Sequence, residues 1–193
     1  GIGRVSVFLV NPDATDPVAD TAFRTFRGAP GTYRGGVMIA AGDVGSFSNG
    51  TPRAAADGRA EIIVGLNAGR AALVRVFDVS GSPRVVQTIR PFGGGFSGGV
   101  TLSTALYEST TTSSILVGAG RGGNSVVEVY DGQTGGQVAR LQAFASFAKP
   151  NAAVFAAALD LDGDGVVNDV YGVQGRAGGG GTRGVKQFNR ATS

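Results

Sequence analysis

The stretch "SSILVGAGRGGNSVVEVYDGQTG", Ser113–Gly135, decides the fold. Two short runs rich in Val, Ile, Leu and Tyr stand on either side of a Gly-rich break, the pattern of two strands joined by a turn. Both runs recur. The first is met again as "AEIIVGLNAG" (Ala60–Gly69) and "DVYGVQGRAGG" (Asp169–Gly179). The second recurs as "ALVRVFDVSG" (Ala72–Gly81), "RGVKQFN" (Arg183–Asn189) and, at the start of the chain, "GRVSVFLVNP" (Gly3–Pro12).

Working outward, a preceding segment appears as "GGVMIAAGDV" (Gly35–Val44), "GGVTLSTALY" (Gly98–Tyr107) and "NAAVFAAALDL" (Asn151–Leu161), with Val37, Val100 and Val154 in the same place. A closing segment appears as "TAFRTFRG" (Thr21–Gly28), "RVVQTIRPFGGG" (Arg84–Gly95) and "QVARLQAFAS" (Gln137–Ser146). In isolation "AAVFAAAL" (Ala152–Leu159) favours a helix by its Ala content. Its place in the repeat assigns it instead to a tightly packed inner strand.

Four strands recurring about every 50 to 60 residues predict an all-β chain of β-propeller blades, each a four-stranded antiparallel sheet. One such sheet cannot bury both of its faces, so it needs neighbours to stack on. The expected division is a blade remnant over 1–34, blades over 35–97 and 98–150, and a partial blade over 151–193. That is thirteen strands, a little over three blades: an incomplete ring, or one completed by another chain. Its terminal strands would be open edges.

Composition narrows the chemistry. The 34 Gly suit turn-rich strands, and with no Gly-x-y period collagen is excluded. The chain has no Cys and no His, which removes disulfides, zinc and haem ligation by those residues, thiol nucleophiles and Ser-His-Asp catalysis. The net charge is +3, carried almost wholly by scattered Arg, with Lys only at Lys149 and Lys186. No dense basic patch with interleaved aromatics appears, so no nucleic-acid partner is expected. No apolar run approaches the roughly 18 residues of a membrane span. The chain opens on Gly1, which reads as a processed or excised segment.

The acidic residues are less evenly spread. "ALDLDGDGVVNDVYG" (Ala158–Gly172) places Asp160, Asp162, Asp164, Gly165 and Asn168 at relative positions 1, 3, 5, 6 and 9, followed by Asp169. Alternating carboxylates on a Gly-rich arc suit calcium, a hard cation that takes six to eight oxygens. The Val166 carbonyl is a backbone ligand candidate, and Asn168 or Asp169 closes the set. An EF-hand would want Glu where Tyr171 stands, and flanking helices. The bland alternative is an Asp/Gly turn that binds nothing tightly. In the first copy the loop starts at Asp43, is interrupted by "GSFSNGTPRAAA" (Gly45–Ala56), and resumes with Asp57, Gly58 and Glu61. The insertion is expected to loop out and leave Asp43, Asp57 and Glu61 as a weaker second metal site, with Asn49 a further candidate ligand. In the middle copy Leu106 replaces the first Asp, and "YESTTTSS" (Tyr107–Ser114) offers only Glu108.

The order "GGV…AAGDV", "DGRAEIIVGLNAG", "VRVFDVSG", then "FSGGV…SSILVGAGRGGNSVVEVYDGQTG", resembles the FG-GAP/VCBS repeat family, the integrin-α-like propellers of large secreted bacterial proteins. The resemblance covers nearly the whole chain, although "PFGGGFSGG" (Pro91–Gly99) is only loosely Phe-Gly-Gly-like. It implies a secreted or cell-surface propeller with Ca2+ in its blade loops, serving adhesion, ligand binding or architecture. The expected function is therefore a non-catalytic, calcium-binding module for adhesion or structural assembly. Its partners would be further blades of the same protein or copies of itself, associating through the unfinished terminal blades. The alternative is a carbohydrate- or protein-binding accessory module of a larger secreted enzyme. An enzyme built on a glycosidase-like pair drawn from Glu61, Glu108, Glu128 and the Asp residues finds no supporting spacing. "GRGGNS" (Gly120–Ser125) and "GRAGGGGTRG" (Gly175–Gly184) lack the Gly-Lys-Ser/Thr ending of a phosphate loop and read as hairpin connections.

Overall fold

The computed structural model describes residues 3–8, 22–48, 51–54, 56–107, 109, 111–144, 152–163, 165–175 and 185–188. Among them every regular element is a strand except a three-residue 3-10 turn, Pro91–Gly93. The chain is all-β, built of several antiparallel sheets, none closed on itself.

Strands β1 (Arg4–Phe8) and β2 (Ala22–Arg27) form a two-stranded sheet. Next, β3 (Val37–Gly42), β6 (Glu61–Leu66), β7 (Val74–Asp78) and β8 (Arg84–Ile89) form a four-stranded meander. The strands β9 (Val100–Ala105), β10 (Ser114–Ala119), β11 (Val126–Tyr130) and β12 (Gln137–Gln142) form a second meander. A three-stranded sheet follows from β13 (Val154–Leu159), β14 (Asp169–Gln174) and β15 (Val185–Phe188). The Ala-rich β13 is thus a strand: pairing with β14 from Val154↔Gln174 to Leu159↔Asp169 outweighs its helical preference.

The insertion after Asp43 differs from expectation. It does not simply loop out: β4 (Ser46–Ser48) and β5 (Thr51–Ala54) make a small hairpin, two strands beyond the expected thirteen. The reason is Phe47, which packs against the core cluster, while its carbonyl accepts from Arg84 Nη2 at 3.2 Å.

Repetition extends to single atoms. In the two four-stranded sheets and the three-stranded sheet, the first and second strands are closed at one end by the same backbone bond. These are Asn67 N to Gly36 O at 3.0 Å, Gly120 N to Gly99 O at 2.9 Å, and Gly175 N to Ala153 O at 2.8 Å. A β-bulge recurs one step before the last aromatic of the third strand, at Val7/Phe8, Val76/Phe77 and Val129/Tyr130. Bulges increase the local twist, so equal placement gives the sheets equal shape.

Equal shape lets the sheets stack. Val5 packs with Val64 and Phe77 between the first and second sheets, and Phe26 meets Phe77 at 4.6 Å between ring centroids. Ile63, Val76, Val100, Ile115, Val117 and Tyr130 share the core between the second and third. Leu116, Val129 and Val170 pack between the third and fourth, joined by Ala156 and Phe188. The central strands β6, β10 and β11 are consequently buried on both faces.

Strand β9 crosses closely over β6 of the sheet before it, and β13 over β10. A Cβ on Gly65 would lie 2.3 Å from Val100 Cγ2, and one on Gly118 would lie 2.0 Å from the Val154 carbonyl oxygen. Side-chain hydroxyls tie these strands together: Ser103 Oγ donates to Ala156 O at 2.6 Å, Thr104 Oγ1 to Ala41 O at 2.7 Å, and Thr101 Oγ1 to Val154 O. Gly118→Val should therefore destabilise the chain by about 3 kcal/mol, the upper end of overpacking costs. Urea denaturation reads this directly, and an unchanged midpoint would show that the strands do not approach so closely.

Candidate metal-binding loops

The three loops between first and second strands lie at one end of the stack. Ser113 N donates to Asp43 O at 2.8 Å, linking the first loop to the middle one, and a parallel bridge between Tyr107 and Val167 links the middle loop to the third. The acids that sequence singled out take two distinct positions in this row.

One position immediately follows the first strand. Asp160 Oδ1 accepts from Gly163 N at 2.7 Å and its Oδ2 from Gly165 N at 2.9 Å, folding the loop around its own carboxylate. Asp43 does the same across the insertion, accepting from Gly58 N at 2.6 Å, Asp57 N at 3.3 Å and Gly45 N at 3.4 Å. The hairpin β4–β5 leaves Asp43 and Asp57 together, and Asp57 Oδ1 in turn accepts from Arg59 N at 3.0 Å. Gly58, Gly163 and Gly165 all have positive φ, so the curvature needs residues without a Cβ. Leu106 stands here in the middle loop and has no side-chain acceptor to offer; its carbonyl accepts from Ser109 N at 3.2 Å, and Ser109 Oγ accepts from Thr111 N and Thr112 N.

The other position opens the second strand. Glu61 is 5% exposed, and its Oε2 accepts from Val44 N at 3.1 Å. Asp169 is 2% exposed, and its Oδ2 accepts from Leu161 N at 3.1 Å, with Gln187 Nε2 at 3.4 Å from the other oxygen. In both sheets the donor lies two residues beyond the acid's cross-strand partner, Gly42 or Leu159. In the middle copy Ser114 Oγ points at Tyr107 O, 3.3 Å away, two residues past its partner Ala105.

The oxygen-only donor set of Asp160, Asp162, Val166, Asn168 and Asp169 fits a hard cation such as calcium. Asp164 lies outside the described residues, as do Asn49 and Glu108. Among the described residues no three acidic side chains converge into a group that holds a metal ion; Glu61 turns its carboxylate to the Val44 amide rather than joining Asp43 and Asp57. Ion pairs among the described residues are Asp78–Arg84 and Glu128–Arg140, so Asp160 and Asp169 are held by backbone and amide donors.

Beside the first loop opens a cavity of about 460 Å3, lined by Phe47, Asp57, Arg59, Glu61, Asp78 and Arg84 among others. Burial pushes the Glu61 carboxyl up to about 7, with Asp43, Asp57 and Asp78 adding repulsion against the opposing Val44 amide. Burial also acts to raise Asp78, but the Ser80 hydroxyl and amide and the Arg84 guanidinium outweigh it and hold that carboxyl below its ordinary value.

A second polar cluster was not legible as such. Glu128, 1% exposed in mid-β11, accepts from Phe92 N at 3.0 Å and from the Arg140 guanidinium and Tyr130 hydroxyl. Phe92 holds a left-handed φ of 59° there, braced edge-on against Phe96 with centroids 5.3 Å apart. Only the cross-strand register Glu128↔Arg140 would have revealed the pair. The Glu128 oxygens are thus engaged by an amide, a guanidinium and a phenol.

Compared with known protein families, curated proteins and solved structures, the chain matches none. Among the described residues no helix is long and apolar enough to cross a membrane.

Glu61 makes stability depend on pH. Its folded-state value lies above its unfolded value near 4.5, so the stability it contributes is full below about 4.5 and is lost as pH rises through about 7. In EDTA, Glu61→Gln, which keeps an acceptor for Val44, should flatten this slope, removing on the order of 2–3 kcal/mol of pH dependence. Denaturant titrations of both proteins across this range check it; parallel pH profiles would mean that Glu61 titrates normally.

Proposed function

We propose that the chain is a non-catalytic, calcium-stabilised repeat module of the propeller type, similar to FG-GAP/VCBS blades, working in adhesion or structural assembly outside the cell or on its surface. The observation that carries this reading is that two of the three equivalent loops place carboxylates at the same two positions. Asp43 and Asp160 follow the first strand, and Glu61 and Asp169 open the second. Loops built this way brace strand against strand, which is a staple's task rather than a reaction centre's. Calcium would be held in the third loop by Asp160, Asp162, Asp164, the Val166 carbonyl, Asn168 and Asp169. Asp43, Asp57 and Glu61 are the weaker second set. Supporting the blade reading, the two four-stranded sheets run as meanders from first to fourth strand.

A second reading has its own observation. The cavity beside the first loop brings Phe47 together with Asp57, Arg59 and Arg84, a mix of one aromatic surface and several hydrogen-bonding groups. That mix suits a glycan or a polar peptide, as expected of an accessory module of a larger secreted enzyme. A glycan array and a pull-down distinguish the two readings.

Calcium at about 100 times its dissociation constant adds about 2.7 kcal/mol. For a chain of this size that is a rise of about 5–10 °C in melting temperature over the EDTA-treated protein. Asp162→Ala should abolish most of the rise. Calorimetry that finds the same melting temperature with EDTA and with calcium, in wild type and variant alike, would refute the metal reading.

A further inference from the structure

The two ends of the stack are unlike each other and unlike its interior. On the last sheet, Phe155, Val173 and Val185 lie side by side in one row across β13, β14 and β15. They are 48%, 42% and 69% exposed, and Leu159 on the same face of β13 is 39% exposed. The same row in the sheet before is Thr101, Gly118 and Val127, and one sheet earlier it is Met38, Gly65 and Val74. Those two rows are covered by the following sheet, whose first strand passes over the glycine.

Val173 breaks the pattern. A side chain on Gly65 or Gly118 would collide with the crossing strand, so a sheet bearing Val173 does not accept a successor with a first strand in that place. Among the described residues the β1–β2 sheet has none: its register and bulge make it equivalent to third and fourth strands alone. Its outward side also carries a vacant contact. Phe8 holds the position of Phe77 and Tyr130, which are 4% and 5% exposed, and of Phe188. Phe8 is 53% exposed, with no described sheet packed against it.

Burying this side asks little of its polar groups. At the place where the third sheet buries Glu128 with Arg140, β1 and β2 carry Ser6 and Thr25, whose hydroxyls bond each other at 3.1 Å. Arg4 and Arg27 pair at the end of the ladder, a rim position where long side chains reach solvent.

We propose that the outward face of β13–β15 docks on the outward face of β1–β2 of a second copy of this chain, repeating head to tail the contact already made inside the molecule. The Phe8 ring of one copy then covers the Phe155–Val173–Val185 row of the other. Such a heterologous contact generates a ring if the rotation closes and a filament if it does not. The alternative of β1–β2 pairing edge to edge with the last sheet is redundant, because β1 and β15 occupy the same strand position. The inference rests on reading the chain as a stack of repeat sheets, and it does not need the calcium half of that reading.

Sedimentation over a wide concentration range, in EDTA, tests it on the full chain. The wild type should show mass rising with concentration. Phe8→Glu and Val173→Arg, both at exposed positions, should each be monomeric with native far-UV circular dichroism, and Val185→Arg should repeat the second result. Equimolar Phe8→Glu and Val173→Arg should form a dimer and nothing larger, since each variant retains one intact face. A wild type that stays monomeric overturns the proposal. So does loss of association in Val173→Arg but not Phe8→Glu, which marks a tail-to-tail contact, or association that survives both, which marks edge pairing. Because calcium is absent throughout, the outcome is independent of the thermal test of the metal loops.

Discussion

The passage of one sheet's first strand over a bare glycine of the sheet before it is the constraint on which the rest of the molecule depends. At Gly65 and Gly118 the approach is so close that no Cβ fits, and the neighbouring hydroxyls of Thr101, Ser103 and Thr104 donate to backbone carbonyls across the gap. These bonds fix the register between sheets as well as their distance. They bring the bulged third strands into equal positions, bury β6, β10 and β11 on both faces, and align the loops at one end. A polar group caught between such sheets must be satisfied locally. Glu128 shows how: three donors, including the amide of a left-handed Phe92, converge on one buried carboxylate.

Much of the strand order was legible because Val, Ile, Phe and Tyr recur in short runs between glycines, and because one repeat can correct another. Taken alone, Ala152–Leu159 reads as a helix; aligned with Val37 and Val100, it reads as the strand that it is. What stayed hidden depends on contacts between segments far apart in the chain. Gly45–Ala56 looked like an interruption, since nothing local announces that Phe47 packs against the core and that Ser46–Ser48 pairs with Thr51–Ala54. Glu128 and Arg140 are twelve residues apart and meet only through strand register. The glycines at 65 and 118 looked like ordinary strand glycines until the crossing strands supplied their reason.

The acidic loops were half legible. Sequence spacing treated all their acids as one ligand set, whereas the structure separates two positions with different local work. Asp43 and Asp160 shape the turn by gathering amides of glycines with positive φ. Glu61 and Asp169 sit buried at the head of the second strand and satisfy one amide beyond the end of the first. Ser114 clarifies the second position, because it meets the same stretch of chain with a hydroxyl directed at a carbonyl. The position therefore demands a polar group that bonds the returning loop, and a carboxylate is one solution among others.

That separation changes what an acid in these loops implies. Asp169 and Glu61 would be retained for the backbone bond even in a loop that never met a cation, so their presence alone says little about metal. The question of a metal then turns on the residues between these positions in the sequence, Asp162 and Asp164 in the third loop and Asp57 in the first, where Asp57 also accepts from Arg59 N. The middle loop accords with this division: it dispenses with the turn-shaping acid at Leu106 yet retains a polar group at Ser114. The carboxylates between the turn-shaping acid and the strand-opening acid are where a cation would make its difference.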